Sequence, residues 1–481
     1  MPVSIDSEVK LPSLGVAEPA APNPNLILGV CCLSMLLVGM DVTIVNVALP
    51  AIQRSLHANL SGLQWIMDAY TLVVASLLML AGSVSDRIGR RKVFLAGLTL
   101  FTSGSVLCSL AQSVEGLVFS RLLQGIGASM LNPVALSIVA NVFPEAKARA
   151  RAVGVWGAVA GLSLALGPLI GGALTQTVGW RSIFWINLPV GVVAIALALR
   201  LVPESKAARP RPLDPGGQVL VIVGLASLIY ALIEGPRAGW SSVPICGLFA
   251  VAAAAFVGFM LYEPRRTLPL LDLRFFKSVS FSSAAVLAVC CFSSFSGFLF
   301  LNVLYLQQVR GFAPFQAGLC TLPLAIAMTL FSPLSGRLVG MYGSRLSLLA
   351  SGGGIVGSAL ILTQLDARTP VVLLLLAYGL FGVGLGMVNP AISNNAVAGM
   401  PLAQAGVAAA IASTCRQVGA ALGVAVAGTL VNSNHGRGLT EATHPIWWLM
   451  LMSGGVVLVL GWVSGTKWAA AQEVRPRPNP V

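Results

Sequence analysis

The sequence predicts an all-α polytopic membrane protein, a bundle of fourteen spans with both ends of the chain in the cytoplasm. Three observations predict it. Only 9% of the 481 residues are charged and 56% are hydrophobic, against roughly 25% charged in an ordinary soluble domain. The apolar residues fall in blocks of about twenty, enough for a helix to cross about 30 Å of hydrocarbon. The cations collect in alternate loops between those blocks. Together these exclude a soluble enzyme, a disordered chain and a disulfide scaffold.

The elements follow in order. Residues 1–24 are polar, with Asp6, Glu8, Glu18 and a single cation, Lys10. They lack the basic and apolar regions of a cleaved signal peptide and are expected to remain as a cytoplasmic tail. Apolar runs then predict helices over 25–50, 62–85, 93–112, 115–142, 150–176 and 183–203, which make a first six-helix bundle, 25–204. Helices at 215–235 and 243–263 form a two-helix insert within 205–279, flanked by basic loops. A second six-helix bundle, 280–466, holds helices at 280–308, 315–336, 345–365, 370–397, 405–432 and 447–466. Residues 467–481 form a second cytoplasmic tail.

The positive-inside rule tests the count, because one helix more or fewer would scramble the alternation. The inner segments hold Lys10; Arg87, Arg90, Arg91 and Lys92; Lys147, Arg149 and Arg151; and Arg200, Lys206, Arg209 and Arg211. They continue with Arg265, Arg266, Arg274 and Lys277; Arg337 and Arg345; and Lys467, Arg475 and Arg477, making 21 of the 29 cations. The outer loops hold six: Arg54, Arg181, Arg237, Arg310, Arg368 and Arg437. The net charge of +13 is thus spread over short loops rather than a stripe on one face, so it does not indicate nucleic acid.

The two bundles echo each other. Gly125-Ile126-Gly127-Ala128-Ser129-Met130-Leu131-Asn132-Pro133 in helix four matches Gly382-Val383-Gly384-Leu385-Gly386-Met387-Val388-Asn389-Pro390 in helix twelve, 257 residues on. After helices two and ten, Ser85-Asp86-Arg87 matches Ser335-Gly336-Arg337, and Gly89 with Arg91 matches Gly343 with Arg345. Both echoes span eight helices, the spacing of two six-helix halves around a two-helix insert. The halves differ in charge: Arg121 corresponds to Tyr378 and Asp68 to Gly318. Helices between 280 and 432 contain no acid.

Several stretches resemble the major facilitator superfamily. Gly82-Ser83-Val84-Ser85-Asp86-Arg87-Ile88-Gly89-Arg90-Arg91-Lys92 is similar to its signature loop, and Arg121-Leu122-Leu123-Gln124-Gly125-Ile126-Gly127 to its helix-four motif. Gly161 with Gly167-Pro168-Leu169-Ile170-Gly171-Gly172 resembles the helix-five motif of its antiporters. Three more stretches resemble the fourteen-helix drug:proton antiporters. They are Asp41-Val42-Thr43-Ile44-Val45-Asn46-Val47-Ala48-Leu49-Pro50, Trp180-Arg181-Ser182-Ile183-Phe184-Trp185-Ile186-Asn187-Leu188-Pro189, and Arg416-Gln417-Val418-Gly419. The resemblance implies the major facilitator fold in the cell (inner) membrane. It implies an alternating-access exporter of lipophilic, often cationic drugs or antibiotics in exchange for protons. By the same resemblance the loop cluster Gly82, Asp86, Arg87, Gly89, Arg90 and Arg91 would steady the outward-facing state.

Intramembrane charge carries the functional reading beside that resemblance. An acid or Arg at a helix centre costs about 2.5–3.5 kcal/mol on insertion, so such residues face the bundle interior, pair, or mark an ion path. Asp41 is expected roughly 13 Å from the outer end of helix one, and Asp68 and Arg121 roughly 9 Å from theirs. All three share the outer half, and are candidates for proton or substrate coupling. In the expected cycle a cation binds an ionised carboxylate from inside, and protonation from outside ejects it. Gly167 and Pro168, with Gly171 and Gly172, predict a hinge in helix five, because proline interrupts the hydrogen-bond ladder. Tyr70, Phe295, Phe298 and Tyr305 are candidate walls for a lipophilic substrate, with ordinary packing as the alternative.

Other chemistry is not indicated. The eight cysteines form no Cys-x-x-Cys pair, and His57, His435 and His444 are expected in outer loops, so neither a metal nor a catalytic set is expected. No phosphate-binding Gly-x-x-x-x-Gly-Lys motif occurs, so an ion gradient is the expected energy source and no cofactor is expected. The expected partners are the lipophilic substrate, protons and membrane lipids, joined by a periplasmic adaptor where the host has an outer membrane. Two other readings remain open: an exporter dedicated to one endogenous metabolite, and a membrane sensor without transport.

Overall fold

The computed structural model describes residues 23–207, 213–266, 271, 273–398, 402–433 and 438–463. Among them are fourteen helical spans long and apolar enough to cross a membrane. We number them α1 (Pro24–Leu56), α2 (Leu60–Ile88), α3 (Arg90–Leu110), α4 (Val114–Val142), α5 (Ala146–Thr177), α6 (Ser182–Leu201) and α7 (Pro215–Ala238). The series continues with α8 (Val243–Tyr262), α9 (Val279–Val309), α10 (Pro314–Tyr342), α11 (Ser344–Leu362), α12 (Val371–Val397), α13 (Leu402–Asn432) and α14 (Leu439–Val463).

Local chemistry sets the helix ends. Asn59, Ser113 and Asp214 place side-chain oxygens on the amides of Gly62, Gly116 and Gly217 at 2.7, 3.1 and 3.0 Å, capping α2, α4 and α7. The turns after α2 and α10 are single glycines, Gly89 at φ +132° and Gly343 at φ +74°, a region closed to most side chains. These two glycines are partners in the sequence repeat.

Some ends differ from the sequence reading. Helix α1 runs through Pro50 to Leu56, and α14 begins at Leu439, which puts His444 inside a helix. Spans α6 and α10 are each two helices in line, broken at Ile186 and Thr321. The end of α9, Tyr305–Val309, loosens into a π-helix.

Packing repeats what the sequence repeats. In the first half α1 lies on α5, α2 on α4, and α3 on both α4 and α6; in the second, α9 lies on α13, α10 on α12, and α11 on α12 and α14. The halves meet along α2–α13, α5–α10 and α1–α9. The hairpin of α7 and α8 covers the α2–α13 side, with α7 touching both of those helices. One apolar cluster runs from Ile44, Leu49 and Phe184 in the first half to Phe298, Tyr378 and Trp447 in the second.

Candidate functional site

Asp41 and Arg121 meet in the interior of the first half. Both are fully buried, and Arg121 Nη1 lies 2.5 Å from Asp41 Oδ2. Gln124, one turn along α4, donates from Nε2 to Asp41 Oδ1 at 2.8 Å and accepts from Arg121 Nη1 at 2.8 Å. Arg121 Nε donates to the Ile66 carbonyl at 3.2 Å, and its guanidinium lies 4.2 Å from the centre of the Tyr70 ring. This network ties α1, α2 and α4 together. Asp41 sits deeper than expected, fifteen residues from the end of α1 at Leu56. The planar guanidinium suits the task, since it serves carboxylate, amide and carbonyl at once.

The second half carries an uncharged counterpart. Tyr378, at the position corresponding to Arg121, donates to Asn302 Oδ1 on α9. Asn302 follows Asp41 by 261 residues, close to the 257 that separates Arg121 from Tyr378. An ion pair between the first and fourth helices of one half is thus a Tyr–Asn bond in the other. The sequence reading missed Asn302 and the role of Gln124. Gln124 was findable, three residues from Arg121 on the same face, whereas Asp41-Val42 against Asn302-Val303 is too short an echo to notice.

Asp68 is elsewhere. It is fully buried, and neither of its oxygens has a hydrogen-bond partner among the described residues. Four residues from Gln64, it shares by helical spacing the face of α2 through which Gln64 meets α13. One turn outward, Gln64 Nε2 donates to the carbonyls of Ala425 at 2.8 Å and Val424 at 3.4 Å. Farther inward, Leu72 and Ala75 belong to one apolar cluster with Ala421 and Ala425 of α13 and Leu225, Ile229 and Ile233 of α7.

The outer ends of the halves are closed on each other. Besides Gln64, Gln307 Nε2 donates to the Val47 carbonyl at 2.8 Å and Gln308 Nε2 to Gln53 Oε1 at 2.7 Å. A methyl group on Gly318 would lie 2.3 Å from the Pro168 carbonyl oxygen, and one on Gly172 2.6 Å from that of Pro314. The glycines of α5 therefore have packing partners: Gly167 and Gly171 lie on Thr43 and Ile44 of α1, Gly172 on α10. Pro168 sits within the continuous helix α5. Farther in, Gly161 approaches Thr329. Beyond it, a methyl group added to Gly154, Gly157, Gly336 or Gly340 would meet no atom of the described residues within 4 Å. Among the described residues, α5 and α10 touch at their outer ends and part toward the cytoplasm.

The loop after α2 bonds to its own half. Arg90 Nη2 lies 3.2 Å from Asp86 Oδ1, and Gly82 lies beside Pro133 of α4. The Arg90 amide donates to the Ser205 carbonyl at 2.9 Å, and the Ala207 amide to that of Asp86 at 3.1 Å. Glu204, unnoticed in the sequence, accepts from the Arg91 amide at 3.1 Å and sits against Gly89. Arg87 is exposed at the end of α2. The four aromatic candidates lie within packing. Tyr70 is under Arg121, and Phe298 contacts Tyr378, Phe381 and Trp447. Phe295 packs on Phe292, and Tyr305 donates to the Asp366 carbonyl at 2.6 Å. No group of three or more metal-binding side chains occurs among the described residues.

Comparison with known proteins agrees with this architecture. Residues 31–424 match the Major Facilitator Superfamily. The chain is 39% identical over 399 residues to the multidrug resistance protein Stp of Mycobacterium tuberculosis, covering 83% of this chain and 74% of that one. It is 37% identical over 423 residues to the tetracenomycin C resistance and export protein of Streptomyces glaucescens, covering 86% and 77%. The methylenomycin A resistance protein of Streptomyces coelicolor is 35% identical over 444 residues, covering 91% and 90%. The chain belongs to the Major Facilitator Superfamily, as a fourteen-helix, multi-pass secondary transporter of its drug-efflux type.

Proposed function

We propose that this protein exports lipophilic, often cationic drugs or antibiotics in exchange for protons by alternating access, with Asp41, Asp68 and Arg121 as its coupling residues. The observation that carries the reading is the fully buried Asp41–Arg121 pair set against its uncharged Asn302–Tyr378 counterpart. Two halves of one fold would pack equally well with neutral bonds. A buried ion pair often adds no net stability over apolar packing, so charge kept in one half fits a task that needs charge.

Asp41 offers a carboxylate to a cation arriving from the open cytoplasmic side, and Arg121 competes for the same oxygens. A substrate that displaces Arg121 and a proton that neutralises Asp41 are then mutually exclusive, which is the condition for exchange. The glycine faces of α5 and α10 supply the closing surfaces, and the loop Gly82–Arg91, bonded to Glu204 and Ser205, steadies the cytoplasmic end of the first half. Where the host has an outer membrane, a periplasmic adaptor would carry the substrate onward.

Cells expressing the protein are expected to accumulate several-fold less of a fluorescent lipophilic cation than control cells, and a protonophore should erase the difference. Equal accumulation with and without the protein would contradict export of this substrate class. A narrower reading, an exporter dedicated to one compound, draws support from relatives named for a single antibiotic. Competition among chemically unrelated compounds separates the two: broad competition favours multidrug export, and displacement by one compound alone favours the narrow one.

A further inference from the structure

The seam between α2 and α13 holds more than packing. From the outside inward, Ser61 donates to the Ile233 carbonyl of α7 at 3.4 Å and Thr429 of α13 to the adjacent Leu232 carbonyl at 2.6 Å. One α7 turn thereby braces both halves. Next comes Gln64 on the carbonyls of Val424 and Ala425. A methyl group on Gly428 would lie 2.2 Å from Gln64 Cδ, so the side chain fills the space a glycine leaves. Below it lies Asp68, four residues from Gln64 and four from Leu72, hence on the same helical face. The stretch of α13 opposite, Gly419–Val426, has only apolar side chains and glycine.

The ionisable groups on the elements around α2 are engaged or distant. Arg121 of α4 holds Asp41 of α1, and Glu115 is exposed at the outer start of α4. Arg416 of α13 donates to Ser413 at 2.8 Å. Glu234 of α7 accepts from Trp65 Nε1 at 2.9 Å, and Arg237 is exposed at the outer rim. Arg90, Arg91 and Lys92 lie at the cytoplasmic start of α3. A buried carboxylate without a partner bears a large desolvation cost, which a protonated carboxyl largely escapes.

We propose that Asp68 is the proton-sensing element of the outer gate: the α2–α13 seam closes when Asp68 is protonated and opens when it is ionised. This rests on the exporter reading and says which step the proton drives. A proton entering from outside binds an Asp68 oxygen while the seam is open to water. The neutral carboxyl then enters the apolar seam, Gln64 and the α7 brace lock it, and the cytoplasmic side opens. The sign suits exchange, since proton loading returns the carrier to the inward-open form described above. Asp41, bonded to Arg121 and Gln124 in this same closed form, remains the group where substrate and proton compete.

Hydrogen exchange of the purified full chain in lipid nanodiscs, without substrate or gradient, tests this. The reporters are peptides from the outer ends of α2 and α13, compared at acid and alkaline pH after correction for intrinsic rates. Exchange there should speed up as pH rises, by up to about tenfold per pH unit while Asp68 titrates. Asp68→Asn should exchange slowly at every pH, and Asp41→Asn should keep the wild-type pH dependence. Should Asp68→Asn not fold, Asp68→Glu should keep a pH-dependent gate with a displaced midpoint. A pH-independent gate in the wild type, or the same pH dependence in Asp68→Asn, would overturn the proposal. Because no transport is measured, that failure leaves the exporter reading standing, and a failure of export leaves this result interpretable.

Discussion

Arg121 serves three acceptors on three helices, and its removal strands the most. Arg121→Ala leaves the Asp41 charge buried with Gln124 as its remaining partner, a change of the kind that costs about 3–5 kcal/mol. A clearly lowered unfolding temperature is expected, and an unchanged one would contradict the pairing. Tyr378→Phe is the control in the other half. It strands the Asn302 amide oxygen, for about 1–3 kcal/mol, yet should leave proton coupling intact in a transport assay. The charges themselves were legible in the sequence, because intramembrane Asp and Arg are rare enough to stand out. Their pairing was not: helices one and four are separated by 80 residues of chain, and only tertiary packing brings Asp41 rather than Asp68 to the guanidinium. Asp68 was a second coupling candidate in the sequence and has no bond to the guanidinium among the described residues.

At the scale of the helix, hydrophobic length made the spans readable and left their ends less so. The first helix was expected to end at residue 50, yet α1 continues through Pro50 to Leu56, because proline is tolerated where neighbouring helices satisfy the freed carbonyls. The glycines of α5 read as a hinge, and the structure shows what they lie against. Gly172 and Gly318 let α5 and α10 touch backbone to backbone, so side chains there oppose outer closure. Overpacking of this kind costs about 1–3 kcal/mol. Gly318→Val is expected to raise the labelling of an outer-seam cysteine, introduced at Gln308, by an impermeant maleimide about tenfold or more. Unchanged labelling would contradict the closing role of that crossing. Helix α7 was legible as an insert, but its bond to both halves through Leu232 and Ile233 was not, since backbone carbonyls carry no sequence signal.

For the whole molecule, the internal repeat and the loop charges foretold two related halves around an extra hairpin, and the same helix pairings recur in each half. What the repeat does not preserve is charge, and that asymmetry is the centre of the account. A closed outside, an open cytoplasmic side and the Asp41–Arg121 pair and Asp68 all in the first half describe a carrier poised to take substrate from the cytoplasm and proton from outside. The most direct test is loss of a fluorescent lipophilic cation from proteoliposomes under an imposed pH gradient, with wild type beside Asp41→Asn. Gradient-driven transport is expected of the wild type, with its loss in a variant that still inserts and folds. Gradient-driven transport that Asp41→Asn retains at the wild-type rate would contradict it.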